Sequence, residues 1–233
     1  MANSNYDKIA SEYYDDKHVT SRNFDDATRY AIKQLKARLN PGKILELGAG
    51  RGRVKEFFQA DLSEVVQIDN STEMFRLQVR EEPFLKVLAD ACQIPLESAQ
   101  FENVVGFLVD PFFGLDSMSE AFRMLKHGGK LFLTVPTYEW AFSLRKGIGI
   151  EVMTTRFKVL REMDMRVVLP SLVHPKDRIR EIVEHSGFQE IFITDHPVPR
   201  STEVLSLDIT GPAQRKGEDP YSLNVIHVIQ AVK

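Results

Sequence analysis

The chain has 233 residues, 43% of them hydrophobic and 27% charged, with a formal net charge of −3. That length holds one sizeable α/β domain with a true core, and that charge balance argues against a broad electrostatic footprint for nucleic acid. The single cysteine, Cys92, excludes an intrachain disulfide and a cysteine-cluster metal site, and points to a reducing, cytoplasmic setting.

Residues 1–22 are polar, with Tyr6, Ile9, Tyr13 and Tyr14 as apolar anchors, and lack the basic start and apolar core of a signal peptide. No apolar run is long enough to span a bilayer. Phe24, Ala27, Ala31, Leu35 and Leu39 recur at helical spacing, and Asn40-Pro41-Gly42 predicts the end of that helix. From Lys43 strands and helices alternate. Strands are predicted at Ile44–Leu47, Val65–Ile68, Leu85–Leu88, within Phe101–Val109, and at Lys130–Val135. Helical stretches such as Ser117–Lys126 fall between them, which implies a mostly parallel sheet covered on both faces. After Pro136 the pattern changes. Residues 137–175 carry aromatics, cations (Arg145, Lys146, Arg156, Lys158, Arg161) and the β-rich Arg166–Leu169, and read as a segment inserted on the sheet. A helix at about Pro175–His185, a strand at Glu190–Thr194, a polar turn-rich loop at Gly211–Pro220 and a last strand at Leu223–Val232 complete the chain.

The most informative stretch is Lys43-Ile44-Leu45-Glu46-Leu47-Gly48-Ala49-Gly50-Arg51-Gly52-Arg53-Val54. A short apolar strand runs into glycines spaced two apart, and a helix is predicted from about Arg53. Glycines there free the backbone to turn sharply or to approach a ligand. A dinucleotide fold requires Gly-x-Gly-x-x-Gly, and its last position is here Arg53. The second strand ends on Asp69-Asn70-Ser71-Thr72-Glu73-Met74. An acid at that tip can accept both hydroxyls of a ribose, or instead cap the following helix. The third strand leads to Asp90-Ala91-Cys92-Gln93-Ile94-Pro95. The turn Leu125-Lys126-His127-Gly128-Gly129 precedes the fifth strand, and Ser186-Gly187-Phe188 precedes the sixth.

In order, these segments resemble the motifs of class I S-adenosylmethionine-dependent methyltransferases of the small-molecule type. The likeness is close over residues 43–136 and looser over 175–195. It implies a Rossmann-like, seven-stranded, mostly parallel sheet in a single domain. That domain would comprise an N-terminal helical lid (1–40), a cofactor-binding core (43–136), a substrate cap (137–175) and a C-terminal helix and strands (176–233). The cofactor implied is S-adenosyl-L-methionine. Glu46, Gly48, Ala49 and Gly50 would meet its methionine and ribose end. Asp69 and Asn70 would hold the ribose. Met74, Asp90 and Ala91 would surround the adenine, with Phe107 and Leu108 completing the wall. The lead-in Tyr6-Asp-Lys-Ile-Ala-Ser-Glu-Tyr13-Tyr14-Asp resembles the family's lid, which would bring Tyr13 or Tyr14 near the sulfonium.

The acceptor side is read from residue chemistry and from a partial likeness. Asp110-Pro111-Phe112-Phe113 resembles the Asp-Pro-Pro-Tyr motif of enzymes that methylate exocyclic amines, with Phe112 in place of the second proline. Asp110, His18 and His174 are the candidate catalytic groups. Phe112, Tyr138 and Trp140 are the candidate substrate wall. The expected acceptor is an O or N atom of a small molecule or peptide, with no nucleic acid, no membrane and no metal involved. The competing functions are an NAD-dependent oxidoreductase, against which Arg53 counts, and a non-catalytic module that binds S-adenosylmethionine.

Overall fold

The structure is a computed structural model that describes residues 4–13, 18–50, 52–58, 65–78, 85–147, 154–158 and 166–233. A seven-stranded sheet runs in the order β3-β2-β1-β4-β5-β9-β8. Its strands are β1 (Ile44–Leu47), β2 (Val65–Asp69), β3 (Leu85–Leu88), β4 (Phe101–Gly106), β5 (Leu125–Pro136), β8 (Gln189–Pro197) and β9 (Asn224–Val232). The first five pair in parallel, and β9 runs antiparallel to both β5 and β8. From β1 the chain winds outward to β3, then returns to build β4 and β5 on the other side. The topological switch point therefore lies between β1 and β4, where open α/β sheets place ligands beyond the strands' carboxyl ends.

β1 is buried along its whole length, as expected of a central parallel strand without polar alternation. Its neighbours separate two cores. On one face α2 (Val19–Leu35), α3 (Val54–Phe58), α6 (Tyr138–Gly147) and α8 (Leu207–Lys216) contribute Phe24, Val54, Trp140 and Ile209. On the other, α5 (Leu115–Met124) and α7 (Lys176–His185) contribute Met118, Ala121, Ile179 and Ile182. Each fully buried side chain of this size stabilises the fold by about 1.5–3 kcal/mol relative to exposure. The antiparallel pair β6 (Thr154–Lys158) and β7 (Arg166–Pro170) stands apart from the main sheet. Val167 and Leu169 of β7 share a small core with Ile9, Tyr6 and Tyr13 of the N-terminal segment.

Three local expectations are corrected. The first long helix ends at Leu35 rather than reaching Leu39, because Lys36 turns left-handed at φ 47° and its N–H caps the helix. Residues 138–147 form α6, a helix of the core layer rather than part of an insert lying on the sheet. Of the loop expected at Gly211–Pro220 only the part from Gly217 remains: α8 continues to Lys216 with Pro212 inside it. A proline within a helix leaves the carbonyl of the residue four before it unpaired. Here that carbonyl belongs to Asp208, and the Trp140 indole N–H donates to it at 2.8 Å. Trp140 also meets Phe24 edge-on at 4.9 Å between ring centroids. The aromatic side chain of one helix thus compensates for the proline of another.

Candidate functional site

A cavity of about 360 Å³ opens at the switch point, beyond the carboxyl ends of β1 to β4. Gly48 and Gly50 form its floor, Asp69 and Asn70 one wall, Asp90 and Ala91 another, and Phe107, Leu108, Pro111 and Phe112 a third. Ser4, Asn5, Tyr6 and Tyr13 reach it from the N-terminal segment, and Pro170 from β7. Its size lies within the ordinary range for small-ligand sites.

The glycine loop is built around two carboxylates. Gly48 and Gly50 have φ of 58° and 54°, values that L side chains adopt only at a cost. A Cβ on Gly48 would come within 2.7 Å of the Phe112 ring, so the loop and the tip of β4 are in close contact. The Gly50 N–H donates to Asp69 Oδ2 at 2.7 Å and the Ser71 N–H to Asp69 Oδ1 at 2.7 Å. Asp69 therefore fixes the loop, and each oxygen keeps a lone pair for a ligand hydroxyl. Burial pushes its carboxyl above the ordinary range, against the pull of those N–H donors. The cap of α4 (Thr72–Arg76) falls to Ser71, whose Oγ accepts from the Met74 N–H at 3.2 Å.

Glu46 has a different position. It is 1% exposed and does not line the cavity. Oε1 accepts the Arg53 and Val54 N–H groups at 2.7 and 3.0 Å, and Oε2 accepts from the Gln67 amide at 2.9 Å. A carboxylate at the start of α3 satisfies donors that a helix leaves open and complements its dipole. Glu46 thus bridges the two ends of the glycine loop from beneath. Burial pushes its carboxyl up to about 7. Ala49 is likewise beneath the loop, its N–H donating to the Ile68 carbonyl at 3.0 Å.

Asp90 ends the wall beyond β3. Its Oδ1 accepts the Cys92 N–H at 2.8 Å and its carbonyl the Gln93 N–H at 3.0 Å, forming a tight turn that presents Ala91 to the cavity. Burial and the Asp90 charge push the neighbouring Cys92 thiol up to about 11, which suppresses thiolate chemistry. Met74 is 2% exposed and lines the cavity. At the tip of β4, Leu108 is left-handed at φ 55°. Thr134 of β5 holds it there: Thr134 Oγ1 accepts the Leu108 N–H at 2.9 Å and the Thr134 carbonyl the Val109 N–H at 3.0 Å. Backbone strain of this kind persists where the surroundings over-determine it.

The N-terminal segment is anchored over the cavity. Asp7 Oδ1 accepts from the Ser71 hydroxyl at 2.6 Å and the Glu73 N–H at 3.1 Å, and the Asn5 amide donates to the Val168 carbonyl at 3.3 Å. Tyr14 lies outside the described residues.

None of the candidate catalytic groups lines the cavity. His18 caps α2, accepting the Ser21 N–H at 3.4 Å, and burial lowers its pKa. His174 sits beside Phe113 at 6.1 Å between rings, its pKa lowered by burial and by Arg178. Asp110 is 7% exposed behind Pro111 and Phe112, where Ser171 Oγ donates to its carboxylate. Burial pushes Asp110 up to about 6, against the pull of Ser171 and Arg145. Of the expected substrate wall, only Phe112 reaches the cavity. Trp140 is in the core, and Tyr138 stacks on Phe142 in a separate groove with Lys146 and Arg215. Pro111 and Pro170 also line the cavity, with no signal in the sequence that marks them as wall residues. Arg145 is 2% exposed, and its spacing of four from Ala141 on a helix was the available signal.

Residues 45–133 match the family model described as a methyltransferase domain. No curated protein matches the chain. Among solved structures, a chain of the Haloferax volcanii complex with the Trm112 methyltransferase activator superposes with a TM-score of 0.71 at 13% identity, covering 100% of this chain and 99% of that one. A Thermotoga maritima SAM-dependent methyltransferase gives 0.64 at 15% identity, covering 98% of each chain. Phosphoethanolamine N-methyltransferase 2 of Haemonchus contortus, solved with S-adenosyl-L-methionine, gives 0.59 at 16% identity over 99% of this chain and 60% of that one. At these identities the structural likeness establishes the fold, and the family match covers the floor and the strand-tip walls of the cavity but not Ser4, Asn5, Tyr6, Tyr13 or Pro170. Residues 45–133 therefore match a methyltransferase-domain family, within a chain that has the fold of solved S-adenosylmethionine-dependent methyltransferases.

Proposed function

We propose that this protein transfers a methyl group from S-adenosyl-L-methionine to an O or N atom of a small-molecule or peptide acceptor. One observation carries the proposal. Two carboxylates, Asp69 and Asp90, stand at adjacent strand tips of a cavity otherwise walled by Gly48, Gly50, Met74, Phe107 and aromatic residues. That donor set fits the cofactor: paired hydroxyls for Asp69, an amino group for Asp90, an apolar ring face for Met74 and Ile68. When bound, S-adenosylmethionine supplies a methyl group activated by a sulfonium for in-line displacement.

The protein's own contribution is position and exclusion of water. Asp69 holds the loop to β2, so the floor is preorganised before any ligand arrives. Tyr6 and Tyr13 cover the opening, which lowers the local dielectric around a cationic donor. The acceptor is assigned to Pro111, Phe112 and Pro170, an apolar part of the lining that carries no carboxylate. Holding a nucleophile in line at about 3–3.5 Å removes several kcal/mol of barrier without a base.

Calorimetric titration tests the reading. S-adenosylmethionine and S-adenosylhomocysteine should bind, and Asp69→Asn should weaken both by about 100-fold through lost charge-assisted bonds. Binding of NAD in preference to either ligand would establish the oxidoreductase alternative. Label from methyl-tritiated cofactor should enter a small-metabolite or peptide extract. Tight binding with no transfer to any fraction would favour the non-catalytic module.

A further inference from the structure

Behind the acceptor-facing wall lies a buried charged network that the cofactor site does not use. Asp110, Ser171 and Arg145 are 7%, 2% and 2% exposed. They come from the loop after β4, the residue after β7 and the last turn of α6. Ser171 Oγ donates to Asp110 Oδ2 and accepts from Arg145 Nη2 at 2.5 Å, while Arg145 Nη1 donates to the Ser171 carbonyl at 3.1 Å. A backbone bond closes the clasp: the Leu172 N–H donates to the Asp110 carbonyl at 2.8 Å. One hydroxyl thus relays between a carboxylate and a guanidinium, using both its donor and its acceptor capacity.

The residues adjoining this clasp are the wall itself. Pro111 and Phe112 follow Asp110, and Pro170 precedes Ser171. A buried ion pair is a poor way to gain stability, since well-packed apolar side chains of similar volume usually do as well or better. What a hydrogen-bonded network of this kind gives is one arrangement in place of several. Building on the methyltransferase reading above, we propose that Arg145 and Ser171 are positioning residues. Through Asp110 they fix the gap between Pro111–Phe112 and Pro170, and so determine which acceptor the cavity admits. The cofactor end, held by Asp69 and Asp90, does not depend on them.

The test uses the full chain carrying Ser171→Ala, Arg145→Met or Arg145→Lys. Amide exchange at Leu172 and Phe112 should accelerate about tenfold in the first two variants, with β1 and β2 unchanged. Arg145→Lys keeps the charge but not the fork and should fall between wild type and Arg145→Met. S-adenosylhomocysteine affinity should stay within about threefold of wild type. In tritium transfer to a dilution series of small-metabolite extract, the half-saturating extract concentration should rise about tenfold while the plateau is kept. Unchanged exchange at Leu172 and Phe112 would overturn the proposal, as would a lowered plateau with unchanged half-saturation. Should the alanine and methionine variants unfold, shown by lost protection in β1, the lysine variant decides by the same two readouts. If wild type binds no S-adenosylhomocysteine, the methyltransferase reading fails, and the exchange result still judges the clasp.

Discussion

Replacing Glu46 by Gln should make the protein more stable at pH 8 and erase a pH dependence present in wild type. Burial raises this carboxyl from an ordinary 4.5 to about 7. The folded state therefore binds more protons than the unfolded state between those values, and stability falls as pH rises through that window. Below about pH 4.5 Glu46 is protonated in both states and the penalty vanishes. Above pH 7 it is fully present, and the interval from 4.5 to about 7 corresponds to roughly 3 kcal/mol. Glutamine keeps an oxygen for the Arg53 and Val54 N–H groups. Its new NH₂ faces the Gln67 amide, whose Oε1 is buried without a partner among the described residues and can rotate to accept. The expected gain at pH 8 is thus about 1–3 kcal/mol, shrinking to near zero at pH 4.5. Urea unfolding of both proteins at half-unit pH steps from 4.5 to 8.5 measures the difference curve. A Glu46→Gln protein that is less stable at pH 8, or a difference that does not vary with pH, would refute the account of Glu46 as a buried loop brace.

Other outcomes follow from the same geometry. Trp140→Phe should cost about 1–2 kcal/mol by orphaning the Asp208 carbonyl, and that cost should shrink in a Pro212→Ala background, where a helix N–H can take its place. Thermal unfolding of the double-mutant cycle measures the coupling; strict additivity would contradict it. Gly48→Ala should keep the fold but weaken S-adenosylhomocysteine binding by tenfold or more, roughly, because its Cβ meets Phe112 at 2.7 Å in a left-handed backbone. Asp7→Ala should release the N-terminal segment from α4, seen as faster tryptic cleavage near Lys8 and a loss of about 1 kcal/mol of global stability. Unchanged cleavage would remove Asp7 as the anchor.

Signals confined to a few consecutive residues were legible without coordinates. Apolar Ile44–Leu47 running into Gly48 and Gly50 is a strand meeting a sharp loop whatever surrounds it, and the acids at Asp69 and Asp90 follow their strands directly. Alternation of such units also gave the layered sheet, because parallel strands require crossover helices. Residues whose environment comes from distant chain were not legible in this way. Trp140 looked like substrate wall, yet a carbonyl freed by Pro212 draws its indole into the core. Arg145 stands among the cations of the 137–175 segment, yet it is buried with Ser171 and Asp110. Glu46 reads as a ligand contact in the motif, while the start of α3 folds back to claim both its oxygens' attention alongside Gln67. The sheet, the glycine loop and the strand-tip acids follow from local chain geometry and so can be read from consecutive residues. Which polar groups face the cavity and which lie behind its wall depends on partners brought together across the fold.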